Sequence, residues 1–591
     1  MKDLEGDSMT TSPNVFLPKF SDVRDIDEFV EVLGRFERAE MSADDFRRYR
    51  LTRGVYGQRQ EGVQMIRVKA PQGVVSARAL EAFGEVAERW GHGKGNITTR
   101  QNLQFHFIPM GEVEALMRVL DEAGLTTREA CGNTVRNVTC CPFAGIRDRG
   151  TFDVTPYGEA ITRFFLRRGS ANNLPRKFKI ALSYGPDDTA YGAINDVGLL
   201  AQVRDGRRGF RFLVAGGLST SPENAAVFFD FLDEADLLDA CEAVVCIFDR
   251  HGNRDNKHRA RLKYVMRKMG REKFLAALHE EYAAVKARGG TPLDLGVVDA
   301  APVPPPPSAE SPDADKTATR GPGYLQWRAS NTFSQDQPGY TCVLTRHALG
   351  KVTAAQFRGL ARLCVAYGDG SVRTTIDQNF ALRFVPHHKL PALHAELAAL
   401  DLAKPGAGTI ADVTTCPGAE SCNLAVTASR QVGTAITERL ENDPALAEAV
   451  ALAKGAVIKI SGCPNSCGQH HIADIGWHGA ARKFEDRTAP VYQLHLGGGF
   501  DESGAHFGRQ VIKIPARRVP EAVARLVRSY ATERSEGETP AAYYKRMPTP
   551  AVTLLLGDLA TVDATTPDEV FLDIGEDKGF RVAIGEGECA A

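Results

Sequence analysis

The chain has 591 residues, of which 43% are hydrophobic and 25% are charged, and its formal net charge is -2. This length exceeds what one hydrophobic core holds, so the sequence predicts two to four domains of ordinary globular composition. A net charge near zero argues against a general nucleic-acid binder. No apolar run approaches the roughly 20 residues that cross a bilayer, and the acidic N-terminus lacks the apolar core of a secretory signal. We therefore expect a cytoplasmic protein that binds neither nucleic acid nor a membrane.

In chain order, each half begins with strands that frame an amphipathic helix. QMIRVKAP and LQFHFIP frame ARALEAFGEVAERW in the first half, and TCVLTR and FALRFVP frame AAQFRGLARLCVAY in the second. A longer α/β segment follows in each half, with strands predicted at RKFKIALS, FRFLVAGG, AVIKISG and VYQLHLGGG. The tail from about residue 550 is interpreted as a small β appendage. The sequence thus predicts an α+β protein with mixed sheets.

The two halves resemble each other across a Pro-rich segment, residues 299–322, which is typical of a semi-rigid spacer. Residues 98–109 (TTRQNLQFHFIP) match residues 375–386 (TIDQNFALRFVP). Three further matches follow in the same order at nearly the same offset: 137–142 with 412–417, 194–198 with 472–476, and 216–217 with 497–498. Four ordered matches indicate an internal duplication, with a pseudo-twofold axis and a site between the halves.

The most specific motif is a set of four cysteines in two pairs, Cys416-x5-Cys422 and Cys463-x3-Cys467. Four thiolates are what a cubane iron–sulfur cluster needs. Structural zinc, the alternative, prefers closer cysteine pairs, and disulfides are disfavoured in the expected compartment. The apolar surroundings of four other cysteines indicate core positions: Cys241, Cys246, Cys342 and Cys364.

TTCPGAESCNLA and SGCPNSCGQHHIADIGWHG resemble the paired cysteine signature of the sirohaem-dependent sulfite and nitrite reductases, over about residues 50–540. The resemblance implies ferredoxin-like half-domains that pair around a pseudo-twofold axis, plus two larger α/β cofactor-binding domains with mixed sheets. It further implies that the four cysteines bind a [4Fe-4S] cluster and that Cys467 also bridges to the sirohaem iron. The implied division is an N-terminal extension (1–50), a first half-domain (51–128), a first sirohaem and substrate domain (129–298), the linker (299–322), a second half-domain (323–403), a cluster domain (404–545) and a tail (546–591).

The resemblance also places four cations at the substrate: Arg100, Arg136, Lys177 and Lys179. Lys177 and Lys179 would share one face if they lie on a strand. An oxyanion on iron needs charge neutralisation and proton donors, and Lys suits the donor role because its pKa shifts readily. A solvated surface charge is the alternative for each residue taken singly.

The duplication indicates that only the second half holds a cluster. Cys141-Pro142 matches Cys416-Pro417, but the first half lacks the remaining cysteines, so Cys140 and Cys141 are interpreted as structural or cofactor-lining. The first half has instead kept cations where the second has none: Arg100 matches Asp377, and Arg136 matches Ala411.

Sirohaem carries eight carboxylates, so its site must be basic. The run from Arg250 to Lys263 resembles the family segment that contacts them, with a solvated basic helix face as the alternative. The predicted contacts are Arg254, Asn256, Lys257, Arg259 and Lys263, together with the amides Asn102, Gln104, Gln378 and Asn379.

We expect a six-electron reduction of sulfite to sulfide, with nitrite reduction to ammonia as the alternative. Lys179 favours sulfite, because nitrite-type members tend to have a neutral amide there and a dianion gains more from the added charge. A cluster-bearing electron-transfer module without haem is a further alternative, which the basic residues disfavour. No nucleotide fingerprint is present, so electrons come from a ferredoxin or a flavoprotein reductase. The roles of Tyr56, Cys131 and Cys589 stay open.

Overall fold

The computed structural model describes residues 19–147, 151–296, 321–583, 585 and 588. The predicted Pro-rich spacer lies almost wholly outside these residues, as does Cys589. The described chain begins with two helices, α1 (Val23–Glu37) and α2 (Ala43–Thr52). The side chains of Asp22 and Ser42 cap them by accepting hydrogen bonds from backbone N–H groups of the first turn.

The first ferredoxin-like unit follows α2. Its elements are β1 (Val55–Gly57), β2 (Val63–Val68), β3 (Val74–Ser76), α3 (Ala77–Arg89), β4 (Lys94–Ile97), β5 (Leu103–Pro109) and α4 (Val113–Glu122). β1, β2, β5 and β4 form one antiparallel sheet, and α3 buries its apolar face against it. The strands and helix predicted for this part of the sequence are confirmed.

The first α/β domain contains β6 (Thr139–Cys140), α5 (Thr155–Phe165), β7 (Ile180–Ser183), β8 (Val197–Arg204), β9 (Arg207–Val214), β10 (Ala226–Asp233), α6 (Leu237–His251), α7 (Leu262–Met269) and α8 (Arg271–Ala287). The sheet order is β10-β9-β8-β7-β6, with β6, β7 and β8 parallel and the others antiparallel. This is the mixed sheet that the sequence predicts. Cys241 is buried in its core, whereas Cys246 is only half-buried and so does not fit the core assignment.

The second ferredoxin-like unit contains α9 (Pro322–Asn331), β11 (Thr332–Ser334), β12 (Tyr340–Thr345), β13 (Lys351–Thr353), α10 (Ala354–Tyr367), β14 (Ser371–Thr374), β15 (Phe380–Pro386) and α11 (Leu390–Ala399). The two units exchange a strand: β13 pairs with β4, and β3 pairs with β14. They also share one core, in which the rings of Phe83 and Phe357 are 5.7 Å apart. Each unit therefore completes the other's sheet, as a pseudo-twofold pair requires.

The second α/β domain contains β16 (Thr414–Thr415), α12 (Ser429–Asn442), α13 (Ala447–Leu452), β17 (Ile458–Ser461), β18 (Ile475–Phe484), β19 (Arg487–Leu496), β20 (Gly499–Asp501), β21 (Gly504–His506), β22 (Arg509–Pro515), α14 (Val519–Glu533), α15 (Pro540–Arg546) and α16 (Thr549–Ala560). Its main sheet has the order β16-β17-β18-β19-β22, with β16, β17 and β18 parallel. This order repeats β6-β7-β8-β9-β10 of the first domain.

The β appendage predicted for the tail is wrong. Residues 549–560 form α16, which starts with a proline in its first turn and buries Val552 and Leu556 against the domain core. These two residues are one helical turn apart, a spacing that the short apolar run TLLL concealed. No described helix is long and apolar enough to span a membrane.

Candidate active site

The four predicted cluster cysteines lie in two neighbouring loops. Cys416 directly follows β16, and Cys463 comes two residues after β17. Because β16 and β17 are adjacent and parallel, both loops leave the same edge of the sheet. The Gly462 backbone N–H donates to Cys416 Sγ at 3.2 Å, which links the two loops.

Backbone N–H groups surround three of these thiols. They are those of Gly418 and Gly462 at Cys416, those of Leu424 and Ala425 at Cys422, and that of Asn465 at Cys463. Such donors stabilise negative charge on sulfur, and hydrogen bonds to the sulfurs tune a cluster's potential. The loops are therefore shaped for thiolates.

The bare thiols resist ionisation. Burial, followed by the charges of neighbouring cysteines, raises the pKa of Cys422 to about 11, and the same two causes raise the pKa of Cys416 and Cys463. Four closely spaced thiolates need a compensating cation, which cluster iron supplies. Zinc would supply positive charge too, but the cysteines within each loop are spaced too widely to resemble a zinc knuckle.

Cys467 differs from the other three because it is exposed. Its carbonyl oxygen accepts a hydrogen bond from Thr99 Oγ1 at 2.9 Å. Thr99 belongs to the first-half segment TTRQN, so the loop that carries Cys467 meets the basic half of the molecule at this point.

Arg100, the next residue, lies half-buried between β4 and β5. Its guanidinium donates to Asn195 Oδ1 at 2.8 Å and to the Asn137 carbonyl at 2.7 Å, while Nε has no hydrogen-bond partner among the described residues. Burial lowers the pKa of Arg100 to about 9. A cation with a buried, unsatisfied N–H is poised to receive an anion.

Lys179 lies beside a buried ion pair. Its backbone N–H donates to Asp196 Oδ2 at 2.9 Å, and Arg261 donates to the same oxygen at 2.8 Å. Burial lowers the pKa of Lys179 well below its usual value, and the charges of Arg261, Arg100 and Lys177 lower it further. These four cations are therefore close together. The strand predicted for RKFKIALS begins only at Ile180, so Lys177 and Lys179 precede β7 rather than lie on it.

Arg136 folds back on its own loop. Its guanidinium donates to the carbonyls of Gly132 (2.7 Å) and Ala130 (3.0 Å), and its charge contributes to lowering the pKa of Arg100. Lys177 is half-buried. The structure thus brings all four predicted substrate cations to one region, with Arg136 fixed by backbone contacts.

The basic run after α6 divides into an inner and an outer part. Lys263 is buried, donates to the Leu218 carbonyl at 2.6 Å and also to the Ser221 carbonyl, and burial lowers its pKa to about 7. Lys263 therefore holds the loop that follows β9, and the direct carboxylate contact predicted for it stays a prediction. The outer residues Arg254, Asn256 and Arg259 are exposed, Lys257 is half-buried, and their contacts with the cofactor stay predictions.

The side-chain amides predicted to contact the cofactor fall into two groups, those bound to other protein groups and one with an oxygen that is unpartnered in the described part of the chain. The side chain of Gln378 donates to the Ile97 carbonyl and accepts from the Thr415 N–H, and that of Asn379 accepts from the His347 N–H and donates to Asp412. Protein groups engage both amides, and the cofactor contacts predicted for them stay predictions. Asn102 is buried, and its Oδ1 has no partner among the described residues, which keeps it a candidate.

Gln104, oriented so that its side-chain oxygen accepts, is bound by the Arg67 guanidinium at 2.6 Å. Cys140 and Cys141 lie in the core of the first α/β domain, in agreement with the structural interpretation. Cys131 is fully buried and Tyr56 is half-buried on β1.

Sequence reasoning missed Asn195 and Asp196 as site residues and named Arg261 only within the basic run. The signal for the first two was present, since Ile194-Asn195-Asp196 matches Ile472-Ala473-Asp474 in the repeat. Only the structure shows that Asn195 orients Arg100 and that Asp196 pairs with Arg261.

The C-terminal residues reach the cluster loops. The Gly585 N–H donates to the carbonyl of Asn423, which adjoins Cys422. The Glu588 carboxylate accepts from the Gly57 N–H at 2.6 Å and from Arg50 at 2.9 Å. The end of the chain thus joins the cluster domain to the first ferredoxin-like unit.

Two family models match the chain in two copies each. One, described as the nitrite and sulphite reductase 4Fe-4S domain, matches residues 131–287 and 406–548. The other, the nitrite/sulfite reductase ferredoxin-like half domain, matches residues 56–123 and 333–400. The chain belongs to the nitrite and sulphite reductase family. The duplication and the ferredoxin-like half-domains expected from the sequence are thereby confirmed.

Relatives within the nitrite and sulphite reductase family carry both substrate names. The assimilatory ferredoxin-dependent nitrite reductase of Haloferax mediterranei is 30% identical over 82% of this chain and 83% of its own. The sulfite reductase [ferredoxin] of Mycobacterium tuberculosis is 30% identical over 80% of each chain. The solved structure of the Mycobacterium tuberculosis NirA protein matches with a TM-score of 0.73 and 26% identity, covering 91% of this chain and 98% of that one.

As a nitrite and sulphite reductase, the protein is an oxidoreductase whose cofactors are a [4Fe-4S] cluster and sirohaem. The residues present fit both groups. Four thiols, three of them with N–H donors, suit the cluster. Buried cations suit a polyanionic macrocycle with an anionic substrate, as do Arg100 Nε and Asn102 Oδ1, which have no partner in the part of the chain that the structure describes.

Proposed function

We propose that the protein reduces sulfite to sulfide in six one-electron steps. The observation that carries this choice is Lys179, whose charge is grouped with those of Arg100, Lys177 and Arg261. Each of these charges disfavours the others, so the group gains most from a ligand with two negative charges. Sulfite offers that second charge and nitrite does not. Nitrite reduction to ammonia is the second candidate, because relatives of both names match the chain.

Cys416, Cys422, Cys463 and Cys467 are proposed to hold the cluster, with Cys467 also ligating the sirohaem iron. The exposure of Cys467 and its position next to Thr99 support this assignment. When bound, the coupled cofactors supply single electrons and an iron atom for the substrate. The protein supplies the anionic ligands on one side and the cations on the other.

The cations are proposed to bind the substrate oxyanion and to deliver protons. Asn195 and Asn137 fix the Arg100 guanidinium, so its remaining N–H can be directed at an anion without reorganisation. The lowered pKa of Lys179 makes its ammonium a better proton donor than an exposed lysine. Asp196 holds Arg261 and the Lys179 backbone together, which keeps both side chains in place.

The electron donor is proposed to be a ferredoxin, because the relatives from Haloferax mediterranei and Mycobacterium tuberculosis are named as ferredoxin-dependent enzymes. A flavoprotein reductase is the alternative. Reconstitution with each reduced donor separates them: a ferredoxin should support turnover at low micromolar concentration, and support by the flavoprotein alone would contradict this part of the proposal.

The deciding experiment measures sulfide and ammonia production side by side with a reduced viologen dye. We expect a kcat/KM for sulfite at least tenfold above that for nitrite. A preference for nitrite would replace the first candidate by the second. Loss of both activities in a preparation that shows cluster and sirohaem absorption would contradict the family function for this chain.

A further inference from the structure

Four histidines form a buried group next to the loop that carries Cys467. His470 and His471 lie in the short helical turn after that loop, His478 on β18 and His495 on β19. The ring centroids are 4.2 Å apart for His470 and His471, 4.6 Å for His470 and His495, and 4.8 Å for His471 and His495. All four side chains are at least nine-tenths buried.

One ring nitrogen in this group lacks a partner. His470 Nδ1 lies 2.9 Å from Ser461 Oγ, but His470 Nε2 is buried with no hydrogen-bond partner among the described residues. The His470 side chain is fully buried. An imidazole nitrogen left unsatisfied in such a place carries a large free-energy cost unless something binds it.

His471 and His495 each use one ring nitrogen for a backbone carbonyl and keep a lone pair on the other. The Ser219 carbonyl accepts from His471 Nε2 at 2.9 Å, so the lone pair of His471 is on Nδ1. The Gly508 carbonyl lies 3.4 Å from His495 Nδ1, which places the lone pair of His495 on Nε2. One ring nitrogen from each of His470, His471 and His495 lies within 4.8 Å of the other two.

We propose that His470, His471 and His495 bind one divalent transition-metal ion, with zinc as the expected ion. Histidines that ligate metals usually form a hydrogen bond from their other ring nitrogen to a carbonyl or a similar group. The three histidines have such contacts here, with Ser461, Ser219 and Gly508. Zinc accepts three histidine ligands and leaves a fourth position open. Imidazole alone, without thiolate, also suits copper and nickel.

Metal binding requires a small local change. Zinc–nitrogen distances of about 2.0–2.1 Å place the three nitrogens about 3.4 Å apart, so the rings must move closer together. His478 Nδ1 lies 2.7 Å from His495 Nε2 and must give up this contact. His478 is then the nearest candidate for the fourth position.

Protons do not compete for these nitrogens near neutral pH. Burial lowers the pKa of His470 well below its usual value, that of His471 to about 4 and that of His495 to about 3. The imidazoles are therefore neutral, which is the form that binds metal.

The ion would connect three parts of the molecule. His470 and His471 follow the loop of Cys463 and Cys467, His495 belongs to the central sheet, and His471 bonds to Ser219 of the first α/β domain. In the repeat, His470 and His471 match Gly192 and Ala193. The site would thus belong only to the half that carries the cluster, where it would fix the cluster loop.

The test uses the purified holoenzyme after chelator treatment, with elemental analysis and zinc K-edge X-ray absorption. We expect about one zinc per chain in addition to cofactor iron, with a first shell of nitrogen and oxygen only. His470→Gln and His495→Gln should each lose this zinc while the cofactor absorption bands remain. His506→Gln is the matched control and should keep it, because His506 lies outside the group and pairs with Asp501.

The proposal fails if the wild-type holoenzyme holds no stoichiometric zinc, copper or nickel and takes up none when dialysed against the ion. It also fails if the zinc shell contains sulfur, which would place the ion at cysteines, or if zinc persists in both histidine variants. Should either variant not fold, the wild-type metal content and absorption spectrum still decide the question.

Discussion

Gln101 and Gln378 tie the two halves together through equivalent pairs of hydrogen bonds. Gln101 Nε2 donates to the Thr374 carbonyl of the second half at 2.8 Å, and its Oε1 accepts from the Cys140 N–H at 3.0 Å. Gln378 Nε2 donates to the Ile97 carbonyl of the first half at 2.9 Å, and its Oε1 accepts from the Thr415 N–H at 2.9 Å. The partners are related by the sequence repeat, so the pseudo-twofold axis extends to single side chains.

This relationship predicts a stability effect. Gln101→Met preserves volume but leaves buried backbone groups at Cys140 and Thr374 without their partner. We expect a loss of about 3 kcal/mol in the free energy of unfolding, and a similar loss for Gln378→Met. The control is Gln510→Met, at an exposed position of β22, which should change the free energy of unfolding by less than about 0.5 kcal/mol. Denaturant unfolding midpoints of the three variants check these expected losses. Equal midpoints for all three variants would contradict the prediction.

Asp474 and Asp196 occupy matching positions but differ in electrostatics. Asp196 pairs with Arg261, whereas burial raises the pKa of Asp474 to about 6. A raised folded-state pKa gives a stability contribution that is present below pH 3.8 and is lost as the pH rises through about 6.

We therefore expect Asp474→Asn, which stays neutral, to gain stability over the wild type as the pH rises from 4 to 6. The gain should reach about 3 kcal/mol and then stay constant. The asparagine oxygen can still accept from the Val457 N–H, as Asp474 does at 2.7 Å. Unfolding midpoints measured at several pH values for both proteins check the sign. A difference that does not depend on pH would show that folding does not raise the pKa of the Asp474 carboxyl.

Lys179→Asn tests the substrate assignment. Removing one of the grouped cations should lower kcat/KM for sulfite by roughly 100-fold and raise nitrite turnover relative to sulfite turnover. Lys454→Asn, at an exposed lysine, is the control and should leave both values unchanged. Unaltered sulfite kinetics in Lys179→Asn would remove the basis for choosing sulfite.

Cys467→Ser should abolish both the cluster and its coupling to the haem. Iron content and the electron paramagnetic resonance spectrum of the reduced protein measure the two losses. Cys246→Ser, at a half-buried cysteine of α6, should keep both. A variant Cys467→Ser that retains a coupled cluster would contradict the bridging assignment.

Much of the fold was predictable from the sequence because its signals are local or repeated. Strand alternation, helical spacing and the four matches at constant offset gave the α+β class and the duplicated plan, including α3 and α10. The tail was misread because TLLL fits a strand as well as the buried face of α16. No local pattern could show which neighbour that face packs against.

The sequence by itself was enough to predict the cluster cysteines and the substrate cations, because their spacing and order along the chain carry the information. The tertiary structure alone decided what each polar side chain contacts. Lys263 and Gln378 fit a carboxylate-binding role by type, but loop carbonyls and the opposite half engage them. The structure also gathered His470, His471 and His495, with His495 brought from 24 residues further along the chain to the other two. Hydrogen bonding and burial depend on which strands become neighbours, and that is a property of the folded chain.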